Sequence, residues 1–265
     1  MSLLGIIMCQ SLELEFANIL AKDPDVSTVY VLTDKHSIGF SEAVEASRRG
    51  LTKPKDYIGK VFPPEEEFNV VVQCMRVGLH SVIAHLREGV KEAAMGMRPF
   101  VDAIFLGYGL CGNALGNPRE LLANLHVPLF IPMDEDHPVD DCVGLLIGGR
   151  ENYYEEQCKC AGTMFWTPGF ARHWKEIFRE GESRGYEPDI LKRLLRNYER
   201  VLLIPSPVME KEELMKSAEE FAERFGLRIE TGSGSLEILQ RTWLQVKEYF
   251  RSVSDRQGIN PGTAY

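Results

Sequence analysis

The sequence predicts an α/β protein in which a mainly parallel sheet is flanked by helices. Short apolar runs such as LLGIIMC and DAIFLGY alternate along the chain with amphipathic stretches at helical spacing, the pattern of repeated β-α units. The 265 residues are 44% hydrophobic and 26% charged, as in an ordinary globular protein with a substantial core. These features favour one α/β domain over residues 1–251, with lobes 1–150 and 151–251 as an alternative, and a disordered tail over 252–265.

The first half of the chain is expected to alternate between strands and helices, with one irregular excursion. The order is a strand at Leu4–Cys9, a helix at Ser11–Ala21, a strand at Val26–Thr33, the excursion at His36–Pro64 and a helix at Glu65–Met97 that is broken near Gly78 or Gly89. The strand Val101–Tyr108 then enters a glycine-rich turn. These apolar runs are short enough for buried strands, and the helical stretches carry apolar stripes.

The second half continues the same alternation. Helix Pro118–Leu125 leads to the strand VPLFIPM, and a helix starts near Asp140 or Asp141. Further strands are expected at Gly162–Thr167, Arg200–Ser206 and Leu227–Gly232. Further helices are expected at Pro168–Glu180, Glu187–Tyr198 and Glu210–Phe225, with a final helix to about Phe250. Acidic residues at a helix start stabilise it through capping and the helix dipole.

Composition excludes several classes of function. A net charge of −9 disfavours a nucleic-acid partner. No apolar run reaches the roughly 20 residues of a membrane span, and the start MSLLGIIMC has no signal-peptide pattern. We therefore expect a cytoplasmic, reducing location, in which cysteines more often bind metals or do chemistry than cross-link. An anaerobic host would fit this expectation.

Three cysteines, Cys9, Cys111 and Cys142, each follow a strand-like run. In a parallel sheet such strand ends lie side by side, and ligands bind in the crevice outside them. Three thiolates with one further ligand suit zinc, or an iron–sulfur cluster with one iron left free. His80 and His137 are the candidate fourth ligands. The alternative is that each thiol is simply buried, since free cysteine is among the most buried residue types.

The glycine-rich turn GYGLCGNALGNP surrounds Cys111. Gly107, Gly109, Gly112 and Asn113 are candidates for binding an anionic part of a cofactor or small-molecule ligand, because glycines let backbone N–H groups converge into a nest. The spacing fits neither the dinucleotide fingerprint nor the Walker A loop. A purely structural turn is the alternative.

Other candidates are weaker. Cys158 and Cys160 form a C-x-C pair that can bind metal or be incidental, and the acidic run from Asp134 to Asp136 is most often a solvated loop. Aromatic side chains at positions 153, 166 and 174 could line a ligand wall, although core packing is the more usual role (Tyr153, Trp166 and Trp174).

Several of these motifs together resemble the uncharacterised family catalogued as domain of unknown function 1638. They are MCQSLELEF, GLH, GYGLCGN, DDCVGLLIGGRENY, GTMFWTPGFARHW, NYERVLLI and RIETGSGSLEIL. The resemblance carries over Cys9, His80, Cys111 and Cys142 as recurrent thiol and imidazole positions. Family members usually have a histidine close before the last cysteine, where this chain has Asp140 and Asp141.

The resemblance implies a companion of corrinoid-dependent methyltransferase systems for methylated one-carbon substrates. The expected protein is thus a zinc-thiolate protein of such a system, either a methyltransferase or an accessory to one, with a corrinoid protein or methyltransferase as partner. The alternatives are an iron–sulfur protein for electron transfer or cofactor assembly, and a non-catalytic partner of a corrinoid protein.

Overall fold

The computed structural model describes residues 2–57, 59, 67–183, 193 and 195–258, and it confirms the α/β class. The strands are β1 (Ser2–Cys9), β2 (Val26–Leu32), β3 (Thr52–Lys55), β4 (Phe68–Met75), β5 (Ala103–Gly107), β6 (Leu129–Phe130), β7 (Met133–Asp134), β8 (His137–Pro138), β9 (Thr163–Trp166), β10 (Arg200–Leu203) and β11 (Arg228–Thr231). The helices are α1 (Glu13–Lys22), α2 (Ile38–Ser47), α3 (Ile83–Met97), α4 (Pro118–Leu121), α5 (Cys142–Ile147), α6 (Arg150–Lys159), α7 (Pro168–Ser183), α8 (Lys211–Phe225) and α9 (Glu237–Gly258).

Six strands form the larger sheet in the order β3-β2-β4-β1-β5-β6, and every neighbouring pair is parallel. The central strand β1 lies between β4 and β5, so that Met8 is level with Cys74 on one side and Gly107 on the other. It is buried along almost its whole length. A strand buried on both faces reads as a continuous apolar run rather than an alternating one, which is why SLLGIIMC contains no charged residue.

The connections from β1 and β4 leave toward opposite faces of this sheet. Phe16 of α1 packs in one apolar cluster with Ile6 and Met8, whereas Leu86 of α3 packs in the other cluster with Ile7. Neighbouring strands whose connections diverge in this way leave a crevice at their carboxyl ends, the usual binding place in an open parallel sheet. The crevice here lies beyond Cys9 and Met75.

A second, three-stranded parallel sheet has the order β11-β10-β9. Its core is aromatic, with Trp166, Trp174 and Phe221 buried together. The guanidinium of Arg200 is buried behind it, and donates to the carboxylates of Glu156 (2.9 Å) and Glu230 (2.5 Å). The chain thus has two parallel sheets, while its division into lobes at residue 150 stays a prediction.

Two of the expected elements in the first half are wrong. The region His36–Pro64, expected to be irregular, contains α2 and the edge strand β3; residues 58 and 60–64 lie outside the described part. Of the helix expected at Glu65–Met97, Phe68–Met75 is instead the strand β4, Leu79–Ser81 is a single 3₁₀ turn and Ile83–Met97 is α-helical, while residues 65 and 66 lie outside the described part. The segment FNVVVQCM is rich in β-branched residues, which favour a buried strand over a helix.

The end of the chain also differs from expectation. Helix α9 continues to Gly258, so residues 252–258 of the expected disordered tail are helical, and residues 259–265 lie outside the described part. Most of the helix expected at Glu187–Tyr198 likewise lies outside it. Within the residues that the structure describes, no helix has the length and apolar character needed to cross a membrane.

Candidate functional site

A cavity of about 680 Å³ opens at the carboxyl edge of the larger sheet, at the crevice beyond β1 and β4. Cys9, Cys111, Cys142 and His80 all line it, so the four side chains singled out from the sequence meet at one place. Its other walls come from α6, β9 and α7 and include Tyr153, Phe165, Phe170 and Ile177. The cavity therefore lies between the end of the larger sheet and the first strand of the smaller one.

Each cysteine is held by a different element. Cys9 is the last residue of β1, Cys111 follows β5, and Cys142 is the first residue of α5. Asp141 caps α5, as expected from the two acids at this helix start. Its Oδ1 accepts a hydrogen bond from the backbone N–H of Gly144 at 2.7 Å. The cap fixes where the Cys142 side chain enters the cavity.

The three thiols lie near one another on the cavity lining, and Cys142 interacts with both of the others. The Cys142 side chain is hydrogen-bonded to those of both Cys111 and Cys9, and the hydroxyl of Ser11 donates to the Cys9 sulfur at 3.0 Å. The hydrogen bond with Cys142, together with burial, raises the pKa of Cys9. The pKa of Cys142 is also raised, first by its hydrogen bond with Cys111. Thiolates this close repel one another, so a cation among them would favour their ionised forms.

The turn around Cys111 is a compact left-handed segment. Cys111, Gly112 and Asn113 have φ of 53°, 61° and 70°, a region that non-glycine residues rarely adopt. Gly109 has no room for a side chain, since a Cβ there would lie 2.4 Å from the backbone carbon of Asp141. The backbones before Cys111 and Cys142 therefore touch, which brings the two thiols together.

The anion nest expected in this turn receives little support from its hydrogen bonds. Six of its backbone N–H groups donate to main-chain carbonyls within the fold (Tyr108, Leu110, Gly112, Ala114, Leu115 and Gly116). Gly107 lies inside β5 against the Phe16 ring, and of the four proposed nest residues only Gly112 lines the cavity. The turn acts here as a support for Cys111, and ligand binding by Gly107, Gly109, Gly112 and Asn113 stays a prediction.

His80 lies in the turn after β4, between Gly78 and Ser81, and is exposed at the cavity wall. Partial loss of water contact lowers the pKa of its imidazole, against the opposing effect of Asp141. His80 is accordingly a neutral imidazole at pH 7, the form that can bind a metal. His137, the other candidate ligand, is outside the cavity lining and its Nε2 contacts the Arg150 guanidinium.

A scan against protein-family models matches residues 74–243 to a family described as "Protein of unknown function (DUF1638)". The chain belongs to this family. The DUF1638 match includes His80, Cys111 and Cys142, whereas Cys9 precedes it. Comparison with curated proteins and with solved structures gives no match.

The remaining sequence candidates divide between the cavity and the core. Tyr153 lines the cavity, while Trp166 and Trp174 are buried in the core of the smaller sheet. Cys158 is exposed and Cys160 is buried, and both are outside the cavity lining. The acidic run at Asp134–Asp136 spans the turn between β7 and β8, where Asp134 accepts from the backbone N–H of Arg150 at 2.5 Å.

Sequence reasoning missed several residues beside the cysteines. Ser11 lines the cavity and contacts Cys9, and Thr163, Thr167 and Gln157 add polar groups to the walls. Their signal was weak, since single Ser, Thr and Gln residues occur everywhere. Cys74, the sixth cysteine, is buried in β4 on the opposite face from Cys9.

The cysteines do not form a ready-made metal cage. Among the residues that the structure describes, no group of three or more His, Cys, Asp or Glu side chains is arranged so that it could hold a metal ion. Cys142 interacts with both other thiols, so that three sulfur donors lie at the same cavity. The donor chemistry fits a thiophilic metal, but binding one requires these side chains to turn toward a common point.

Proposed function

We propose that the cavity is a metal-thiolate site, with Cys9, Cys111 and Cys142 as ligands, His80 beside them and zinc as the favoured metal. The observation that carries this proposal is the convergence of three thiols from three separate elements on one cavity. Thiolates are the ligands that zinc accepts most readily in proteins, and an exchangeable fourth position makes such a site reactive.

The residues around the thiols have roles that serve such a site. The Ser11 hydroxyl stabilises charge on the Cys9 sulfur, and Asp141 holds the start of α5 and hence Cys142. Apolar side chains such as Phe165, Phe170 and Ile177 make up much of the remaining wall. When bound, the metal would hold a thiolate or a substrate heteroatom in reactive form.

We further propose that the site serves corrinoid-dependent methyl transfer for methylated one-carbon substrates, with a corrinoid protein or methyltransferase as partner in the cytoplasm. This part rests on the resemblance described above and on the suitability of zinc-bound thiolates for methyl transfer. An iron–sulfur cluster on the same cysteines and a non-catalytic corrinoid-protein partner are its competitors.

The test is the metal content of anaerobically purified protein. We expect about one zinc per chain, retained in Cys158→Ser, whose cysteine is exposed away from the cavity, and lost in Cys111→Ser and Cys142→Ser. A brown protein that contains iron and sulfide would show that the cysteines bind an iron–sulfur cluster instead of zinc. Metal-free protein in which all cavity thiols react with iodoacetamide would reject both metal sites. If that metal-free protein still captured a corrinoid protein, the result would support the non-catalytic partner in place of a metal site.

A further inference from the structure

In the part of the chain that the structure describes, the cavity is lined by one acidic side chain and by no lysine or arginine. Asp141 is the one carboxylate among the described lining residues, and none of them is lysine or arginine. His80 is the one imidazole among them. A phosphate or carboxylate ligand would therefore enter without a charged partner, which costs free energy in a partly desolvated site.

The carboxylate of Asp141 is held by uncharged donors. Burial raises the pKa of this carboxyl group, and hydrogen bonds from the backbone N–H groups of Gly144, at 2.7 Å, and Val143 and from the Tyr153 hydroxyl oppose that effect by favouring the ionised form. These hydrogen bonds hold the carboxylate in place at the cavity wall.

Aromatic rings surround the same part of the cavity. Tyr153 stacks on Phe165 with ring centroids 4.8 Å apart, and Phe170 and Tyr198 complete this wall. Ring faces attract cations and pack against apolar groups at the same time. A wall of this kind beside a fixed carboxylate is the arrangement that binds an organic cation.

We propose that the cavity binds a small organic ligand with one positive charge and an apolar body, its cationic nitrogen beside Asp141 and its body against Tyr153 and Phe165. The inference rests on the proposed function only in taking this cavity as the functional site, since it requires neither the metal nor a corrinoid. It replaces the anionic ligand expected from the glycine-rich turn with one of opposite charge.

Three probes of one shape and different charge test the proposal: benzylammonium, benzyl alcohol and benzoate. Their dissociation constants are measured by calorimetry on the protein as purified and again after chelator treatment. We expect benzylammonium to bind about tenfold more tightly than benzyl alcohol, and benzoate at least about tenfold more weakly than the alcohol. The chelator-treated sample separates this result from the metal proposal, because charge preference persists there whether or not metal was present.

Asp141→Asn removes the charge and keeps a good helix cap, since asparagine caps as well as aspartate. We expect it to bind benzylammonium and benzyl alcohol equally. Asp140→Asn is the matched control, with the same charge removed one residue away and outside the cavity lining. Equal binding of cation and alcohol by the natural chain, tighter binding of benzoate, no binding of any probe, or an equal effect of both variants would overturn the proposal.

Discussion

Glu15 carries its carboxyl group in the protein interior. The side chain is fully buried, and neither of its oxygens has a hydrogen-bond partner among the described residues. Burial raises the pKa of Glu15 to about 8, so the group is mostly protonated at neutral pH. Glu13, two residues earlier, is equally buried but paired: its Oε1 lies 2.9 Å from His173 Nε2 and 3.4 Å from Arg172 Nη1. The sequence LELEF shows two acids, and nothing in it separates the neutral one from the paired one.

This difference predicts a pH dependence of stability. The ordinary pKa of glutamate, 4.5, applies to the unfolded chain, so between pH 4.5 and 8 the folded protein binds the extra proton. The free energy of unfolding therefore falls as pH rises through this window, and levels off above it. We expect Glu15→Gln to remove this contribution. The difference in the free energy of unfolding between the variant and the natural chain should then change in favour of the variant by on the order of 3 kcal/mol from pH 4.5 to pH 8.

Urea unfolding of the natural chain and of Glu15→Gln at pH 4.5, 6, 7 and 8 measures the slope. Glu248→Gln, which changes an exposed glutamate of α9, is the matched control and is expected to keep the natural profile. Parallel profiles for the natural chain and Glu15→Gln would show that Glu15 ionises normally in the folded state.

At the level of elements, the positions of the three cysteines were predictable and much of their frame was not. Cys9, Cys111 and Cys142 follow apolar runs or a capped helix start, and these signals are local in sequence. The strand β4 was mistaken for a helix, although it pairs with β1 beside Cys9. Its β-branched residues are a local signal for a strand, but its position between β1 and β2 in the sheet depends on pairing with segments distant in sequence, which local patterns do not reveal.

Gly169 shows how closely α7 approaches the cysteine site. A Cβ at this position would lie 1.8 Å from the backbone oxygen of Ser11, two residues after Cys9. We expect Gly169→Ala to push α7 away from this turn, to destabilise the protein by about 2–3 kcal/mol and to speed alkylation of Cys9, because the overlap is with backbone that cannot rotate aside.

Urea unfolding and mass spectrometry of iodoacetamide-treated protein provide the two measurements. Gly226→Ala is the control: Gly226 has φ of 69° with no atom near its Cβ position, so the cost is about 1 kcal/mol of backbone strain and Cys9 reactivity is unchanged. If the two variants gave the same stability and the same Cys9 reactivity, the contact at Gly169 would have no specific role.

At the scale of the whole molecule, the last helix ties the chain together. Helix α9 follows the smaller sheet but packs against the larger one, where Phe250 lies 5.0 Å from the Phe68 ring. The Trp243 indole and the Lys247 ammonium both donate to the carboxylate of Asp23, at 2.7 and 2.9 Å. The chain therefore passes from the larger sheet to the smaller one and returns to the larger one in α9. Because of this link, we expect the two sheets to unfold together.

The proposed metal ligands are spread over the same frame, so metal binding is expected to stabilise the whole fold. Cys9, Cys111 and Cys142 come from β1, the turn after β5 and α5, and these segments are brought together only in the folded chain. A ligand that binds only the folded state adds about 4 kcal/mol to the free energy of unfolding at 1,000 times its dissociation constant, or roughly 10 °C in Tm for a chain of this size.

Calorimetry of reduced, chelator-treated protein with and without zinc measures this shift in Tm. Cys158→Ser is expected to keep it and Cys111→Ser to lose it; a shift of equal size in both would place the zinc elsewhere than at the three cavity thiols.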